Sequence, residues 1–323
     1  MIKGITPRLA EAGKIKIGGL GPERESKNKT KYRLPQKLDH FLITHTERNE
    51  AGDLEIDGEI MKNMERDSDK KIRAIPIILH SDNIDEVFPT SYALYSGRRC
   101  ACRGDGEKAL RREIKEKQYT GESKTIECPC PYLQANEGPK CKPNGKLFCS
   151  IAVPNSSIAG AVHIWRTTSM ISINQMIGSL LQIQTICGTL RGLPLWLRVK
   201  PITVEPPGQG ALTVYCCHVE LRAADIIATQ HKALEAAKLR RELGGDDLGY
   251  RKMLMEHDQN ETVDEQEAIA AEFYAEDSSN VSTAPAGTSA GDIAAKMEKT
   301  GEAPAADNPD PISESDKKPD DII

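Results

Sequence analysis

Large aromatic rings are scarce in this chain. Four Phe, two Trp and eight Tyr make up 4% of 323 residues, and mean hydropathy is −0.48. Such a sequence is poor material for one extensive core, which makes a bound metal that contributes directly to folding more useful. Long apolar runs are missing too. No window approaches the ~20 residues that span a bilayer, and the start, Met1-Ile-Lys-Gly-Ile-Thr-Pro7, lacks the apolar run of a signal peptide. The expectation is a cytoplasmic protein in a reducing compartment, where thiols serve as metal ligands or core residues before they serve as disulfides.

Catalytic signatures are also lacking. There is no His-Glu-x-x-His helix and no P-loop. Gly287-Thr-Ser289-Ala-Gly291 has the letters of a nucleophile elbow, but that motif needs a strand-to-helix turn and here lies in a stretch read as disordered. His218-Val-Glu220 and Pro129-Cys130 stand in reversed order for a zinc deaminase, without the second Cys-x-x-Cys cysteine. Arg103-Gly-Asp105 reads as a turn. No catalytic set emerges, and the expectation is a protein that is not an enzyme.

What the sequence does have is cysteine. Six of nine fall between Cys100 and Cys149. Cys100-Ala-Cys102 and Cys128-Pro-Cys130 form two Cys-x-Cys pairs, and Cys141 and Cys149 follow. Neighbouring glycines and prolines supply tight turns, and two such turns facing each other suit a closed, tetrahedral, structural Zn²⁺ site. A disulfide pair and ordinary buried thiols are the alternatives. Cys216 and Cys217, side by side, read as core residues.

Charge is unevenly spread. From Asp258 onward there are 17 acidic and 4 basic residues, while residues 1–257 carry 39 basic against 31 acidic, so a body of +8 precedes a tail of −13. That balance suits work near nucleic acid or its binding proteins. The basic start, residues 1–36, reads as a solvated loop or as an arm for phosphate contact, with Lys14, Lys16, Lys27, Lys29, Lys31 and Arg33 as its cations.

Along the chain, residues 38–46 read as a strand buried on both sides. Residues 49–70 form a polar, helix-bearing insertion with Ile60, Met61 and Met64 inward. Residues 73–79 are a strand put at a sheet edge by Pro76. A strand at 92–95 enters the cysteine region, and the charged stretch 107–118 reads as a solvated helix. Strands follow at 146–153 and 161–168, split by a turn at Pro154-Asn155. The clearest helix is 173–187, with Ser172 and Gln175 as capping box and Gly188 as its stop. Strands at 195–204 and 211–221 precede helices at 223–243, stopped by Gly244-Gly245, and at 265–274. From Asp277 the composition is too polar and acidic to offset ordering entropy. The fold class expected is α+β: a strand-rich domain over 1–222 with a central helix and a zinc-binding Cys cluster, a helical extension over 223–276, and a disordered acidic tail over 277–323.

The succession of the Phe41 strand, Ile75-Pro-Ile77, Phe88-Pro89 with Tyr92, Cys102-Arg-Gly-Asp-Gly106, Cys128-Pro-Cys130, Cys141-Lys-Pro143 and Trp165-Arg166 before a Ser/Asn-led helix resembles one phage family. It is similar to the recombination directionality factors that partner large serine integrases in actinophages, whose prophage relatives often carry only the label hydrolase or metal-binding protein. The likeness runs from about residue 13 to 222. It implies a phage- or prophage-encoded, non-enzymatic regulator that binds the integrase and shifts recombination towards excision. It also implies a zinc ligand set of Cys102, Cys128, Cys130 and Cys141. Cys100 and Cys149 depart from the family pattern, and either is a possible substitute for the fourth ligand.

Two other classes remain open. One is a nucleic-acid-binding accessory protein of phage replication or recombination, using the basic start and exposed Tyr32, Tyr92 and Tyr95. The other is a metal-dependent hydrolase built on His80, Asp82, Asp85 and Glu86, for which a solvated turn is the plainer reading.

Overall fold

The computed structural model describes residues 9–25, 31–49, 54–96, 99–115, 118–133, 140–153, 161–205, 210–223, 225–243 and 261–274. Among these residues, twelve strands and five α-helices follow one another as β1 (Glu11–Glu25), β2 (Lys31–Arg48), β3 (Leu54–Ile56), α1 (Gly58–Lys62), β4 (Ala74–Ile78), α2 (Ile84–Val87), β5 (Thr90–Ser96), β6 (Arg99–Gly104), β7 (Lys108–Lys115), β8 (Gln118–Glu127), β9 (Cys141–Ile151), β10 (Val162–Thr167), α3 (Met170–Cys187), β11 (Leu195–Val204), β12 (Leu212–Leu221), α4 (Ile226–Leu243) and α5 (Val263–Phe273). The chain is strand-rich with a few helices, consistent with an α+β class.

The principal strand order is β3-β2-β1-β10-β9-β5-β6-β7-β8, and β4 links the β11–β12 hairpin to the C-terminal end of β9. Strand pairing is antiparallel except between β1 and β10. Because side chains alternate across a strand, one face of the β2-β1-β10-β9 sector collects Phe41, Ile43, Ile15, Ile17, Trp165 and Leu147. This face packs against Ile173, Met176, Leu180 and Ile183 of α3 and against the apolar side of β11 and β12. Trp165 is fully buried there and stacks with Phe88 at 6.1 Å. A few large rings at the centre of one cluster offset the general scarcity of aromatics.

Several expectations need correction. The basic start is not a loop within its described part. β1 pairs with β2 in a long hairpin from Gly13↔His45 to Glu25↔Lys31. Gly13 allows the closest approach, since a Cβ there would lie 2.1 Å from the Thr44 carbonyl oxygen. β4 is not an edge strand. It is paired on both sides, and the Pro76 carbonyl accepts from Ala152 N at 2.8 Å.

The described part of residues 107–118 is not a helix. β7 pairs with β6 and β8, and Asp105 Oδ1 accepts the Glu107 and Lys108 amides at 2.8 Å, closing an Asp-Gly hairpin with Gly106 at φ +107°. Asp-Gly is a strong hairpin signal, and it outweighs the helical propensity of the charged run. α3 begins three residues earlier than expected. Ser169 is its N-cap, and Ser172 lies buried inside the first turn, while Gly188 ends the helix in the left-handed region as expected.

Tyr95, expected to be exposed, is 2% exposed. Lys27 and Lys29, the turn at Pro154-Asn155, Gly244-Gly245, the serine motif at 287–291 and the acidic tail lie outside the described residues, as do the side chains of Lys31, Tyr32 and Arg33.

Candidate metal centre and basic face

The cysteine region folds around β5. Leu94 of β5 pairs with Cys102 on one side and with Cys141 on the other, so both thiols lie on the Leu94 face. Cys128 follows β8. Its amide bonds the Glu107 carbonyl at 2.9 Å, and its Sγ would lie 3.0 Å from a Cβ on Gly104, so this glycine gives the thiol its room. Cys130 begins a 3₁₀ turn through Pro131–Leu133, and its Sγ accepts from Arg111 Nη2 at 3.6 Å. Leu94, Cys102 and Ala109 form a buried cluster on which Ile126, Cys128, Tyr132 and Cys141 pack.

Cys141 and Cys102 sense the neighbouring thiols. Burial first, and then Cys130, Cys102 and Cys128, together push the Cys141 thiol up to about 12. Cys102 is raised by burial first, with Cys130 adding to the effect and Arg111 opposing it. A soft divalent ion would reverse the effect on Cys102 and Cys141, because a cation inverts the local electrostatics. Among the described residues, no three His, Cys, Asp or Glu are drawn together closely enough to form a metal-holding group. The four thiols match zinc in donor chemistry, and Cys102, Cys128 and Cys141 pack on one buried cluster, but they are not gathered into a metal-holding geometry.

Cys100 and Cys149 lie elsewhere. The β5–β6 register slips between Leu94↔Cys102 and Tyr95↔Cys100, which leaves Ala101 as an extra residue. That bulge turns Cys100 to the opposite face, beside Tyr95 and Tyr274. Cys149 shares β9 with Cys141 but stands eight residues on, roughly 27 Å along a strand. It is buried in the main core, and its Sγ donates to the His163 carbonyl at 3.7 Å.

The hydrolytic candidates are not brought together. His80 Nε2 is 2.7 Å from Ser150 Oγ. Asp82 Oδ1 accepts from Thr189 Oγ1, Leu190 N and Arg191 N at 2.6–2.8 Å, and Oδ2 accepts from Arg240 at 3.0 Å. Asp85 is exposed on α2, and Glu86 accepts from Ser81 and Asn83. Asp82 is a clamp joining the end of α3 to α4.

With this geometry in hand, a family model described as Gp3-like, recombination directionality factor-like, matches residues 12–222. The chain belongs to this family. The match places it in phage DNA recombination, and comparisons with curated proteins and with solved structures gave no match. The matched residues thus contain the described strands, save Glu11 at the start of β1, and the whole thiol cluster, while α4 and α5 lie beyond them.

On the far side of the sheet from the main core, the family-matched body is basic. Lys14 is 8% exposed, with Glu11 at 3.8 Å, and Lys16 pairs with Glu272 of α5 at 2.9 Å. Neighbouring strands add Arg103, Lys142, Lys146 and Arg166, which the sequence reading missed because they are scattered over 64 positions. Burial alone would push the Glu261 carboxyl up, but Lys146 and Arg103 overcome it and hold Glu261 well below the usual carboxylate range. Among the described residues, no helix is long and apolar enough to cross a membrane.

Proposed function

We propose that this chain is a cytoplasmic, non-enzymatic regulator of phage or prophage site-specific recombination that binds a large serine integrase and favours its excision-competent arrangement. The observation that carries the reading is the family match over residues 12–222. The structure is compatible with it, since Asp82, the central acid of the hydrolytic candidates, is taken up in hydrogen bonds that join the end of α3 to α4. A regulator of this kind acts by population shift, binding one arrangement of the integrase more tightly than the other.

We further propose that Cys102, Cys128, Cys130 and Cys141 hold a structural Zn²⁺. When bound, the ion would tie β6, the turn after β8 and the start of β9 into one unit, and thiolate ligation would contribute to folding.

The test is direct. The purified protein is mixed with the serine integrase encoded nearest to it and passed over a size-exclusion column without DNA. Co-elution, followed by excision of attachment-site DNA that requires both proteins, is the expected result. Separate elution with no effect on recombination direction overturns the reading.

A further inference from the structure

The sheet face turned away from the main core presents a band of cations. Lys14 and Lys16 come from β1, Arg166 from β10, Lys142 and Lys146 from β9, and Arg103 from β6, all within the family-matched residues. One short segment beyond the match neutralises most of them. Glu261 meets Lys146 at 2.5 Å and Arg103 at 2.7 Å, Glu265 meets Arg166 at 3.7 Å, and Glu272 meets Lys16 at 2.9 Å. At the end of α5, the Phe273 carbonyl accepts from Lys142 Nζ at 2.8 Å. Glu265 and Glu272 are seven residues apart, close to two full turns, so they share one face of α5 at a spacing of about 10 Å. The result is a row of negative groups laid along a cationic sheet.

Within this band stands an aromatic ring. Tyr95 of β5 lies among the cations, and the Tyr274 ring rests against it with centroids 4.6 Å apart and planes 35° apart. The Lys142 ammonium sits 4.7 Å from the Tyr274 ring centre. Two more observations point to a ligand other than the helix. Asn144 lies between Lys142 and Lys146 on the same face of β9. It is 3% exposed, and its Nδ2 has no hydrogen-bond partner. The helix also leaves an opening of about 490 Å³ at its edge, walled by Arg103, Lys108, Arg112 and Glu261.

We propose that this face is a binding site for single-stranded nucleic acid and that α5 covers it in cis, its carboxylates standing where phosphates would lie and Tyr274 where a base would stack on Tyr95. Cations that track a backbone, beside an aromatic platform that accepts any base, are the recurring design of sequence-tolerant single-strand sites. A duplex is disfavoured because Tyr95 lies in the floor of the sheet, where only an unpaired base can lay its face on the ring. The covered site is silent until α5 leaves. The proposal does not depend on the integrase reading, because the binding measured needs no integrase.

The test uses the full chain and a fluorescein-labelled oligothymidylate of about twenty nucleotides, long enough for one such site, followed by anisotropy at low salt. Two variants open the face by different means. Glu261→Gln, Glu265→Gln and Glu272→Gln together remove the charges, and Ile269→Ala with Tyr274→Ala removes the apolar anchors. A third variant combines both sets, so that release of the helix is reached even if either set alone leaves it docked. Hydrogen exchange over 261–274 reports release, and near-UV circular dichroism reports a folded core.

The expected result is that the opened protein binds at least about tenfold more tightly than the unaltered chain, with affinity falling steeply as salt rises. Adding Lys16→Ala and Arg166→Ala to the opened variant returns binding to the starting level. An opened, folded variant that binds the oligonucleotide no better than the unaltered chain overturns the proposal. So does an equal gain for a duplex of the same length. Capture of a synthetic 261–274 peptide without any oligonucleotide binding overturns it too, and makes the face a groove for acidic helices.

Discussion

Single residues decide the chemistry of the two faces of β6. On the thiol side, Cys128→Ser or Cys141→Ser is expected to abolish stoichiometric zinc and unfold the surrounding strands, because a ligand and its contribution to folding go together. Cys216→Ser, far from the cluster, is expected to retain full metal. Metal analysis of the purified variants with thermal melts checks this, and a folded Cys128→Ser protein holding one zinc would sink the ligand set. His163 makes a different prediction. Burial lowers its imidazole to about 4, with Asp57 opposing and His45 reinforcing the shift, and neither ring nitrogen has a hydrogen-bond partner. The folded state therefore excludes a proton that the unfolded chain binds below about pH 6.5. The unfolded state binds more protons between those values, so stability is present above pH 6.5 and is lost as pH falls towards 4, by up to about 3 kcal/mol. Urea titrations at pH 7 and pH 4.5 should show this loss, and His163→Phe should flatten it. An unchanged acid limb in the variant would assign the loss to other groups.

At the scale of elements, much was legible and the misses have physical causes. The strands at 195–204 and 211–221 and the helix ending at Gly188 follow their own patterns, because alternation and a left-handed C-cap are local signals. β7 was hidden because Glu107 to Gln118 has the composition of a solvated helix. Its conformation is set by pairing on both sides and by the Asp105-Gly106 turn, which are tertiary and turn effects that override propensity. The spacing of the cysteines marked six candidates, and it was the family likeness that singled out Cys102, Cys128, Cys130 and Cys141 as the expected ligand set. The basic face was not legible, since its cations come from four strands and meet only after folding. The clamp at Asp82 was legible as an acidic turn and nothing more, because its partners lie over 100 positions away. Asp82→Ala removes the acceptor for three groups at the end of α3 and for Arg240 of α4. Buried donors left without an acceptor cost about 1–3 kcal/mol. The expected outcome is a destabilisation of that size, with faster amide exchange over 189–191 and over α4, and no change in any phosphodiesterase background. Loss of a metal-dependent activity with α4 protection unchanged would instead restore the hydrolytic reading.

At the scale of the whole molecule, one sheet has two very different surfaces. Its inner face supplies the main core with few but central rings, Trp165, Phe41 and Phe88 among them. Its outer face is a polar, cationic surface held under an acidic helix. Between the two, β6 carries a thiol for each side. In an uninterrupted strand, a Cys-x-Cys pair points both sulfurs the same way. The extra residue at Ala101 changes the parity, so that one cysteine joins the thiol cluster and the other lies beneath Tyr274. The two-residue spacing is therefore not what the fold requires. A chain lacking Ala101 would alternate regularly and still send the two sulfurs to the sides they occupy now. In such a protein the letters Cys-Cys would stand where this one has Cys-Ala-Cys, and a search tuned to the spacing would pass over the same architecture.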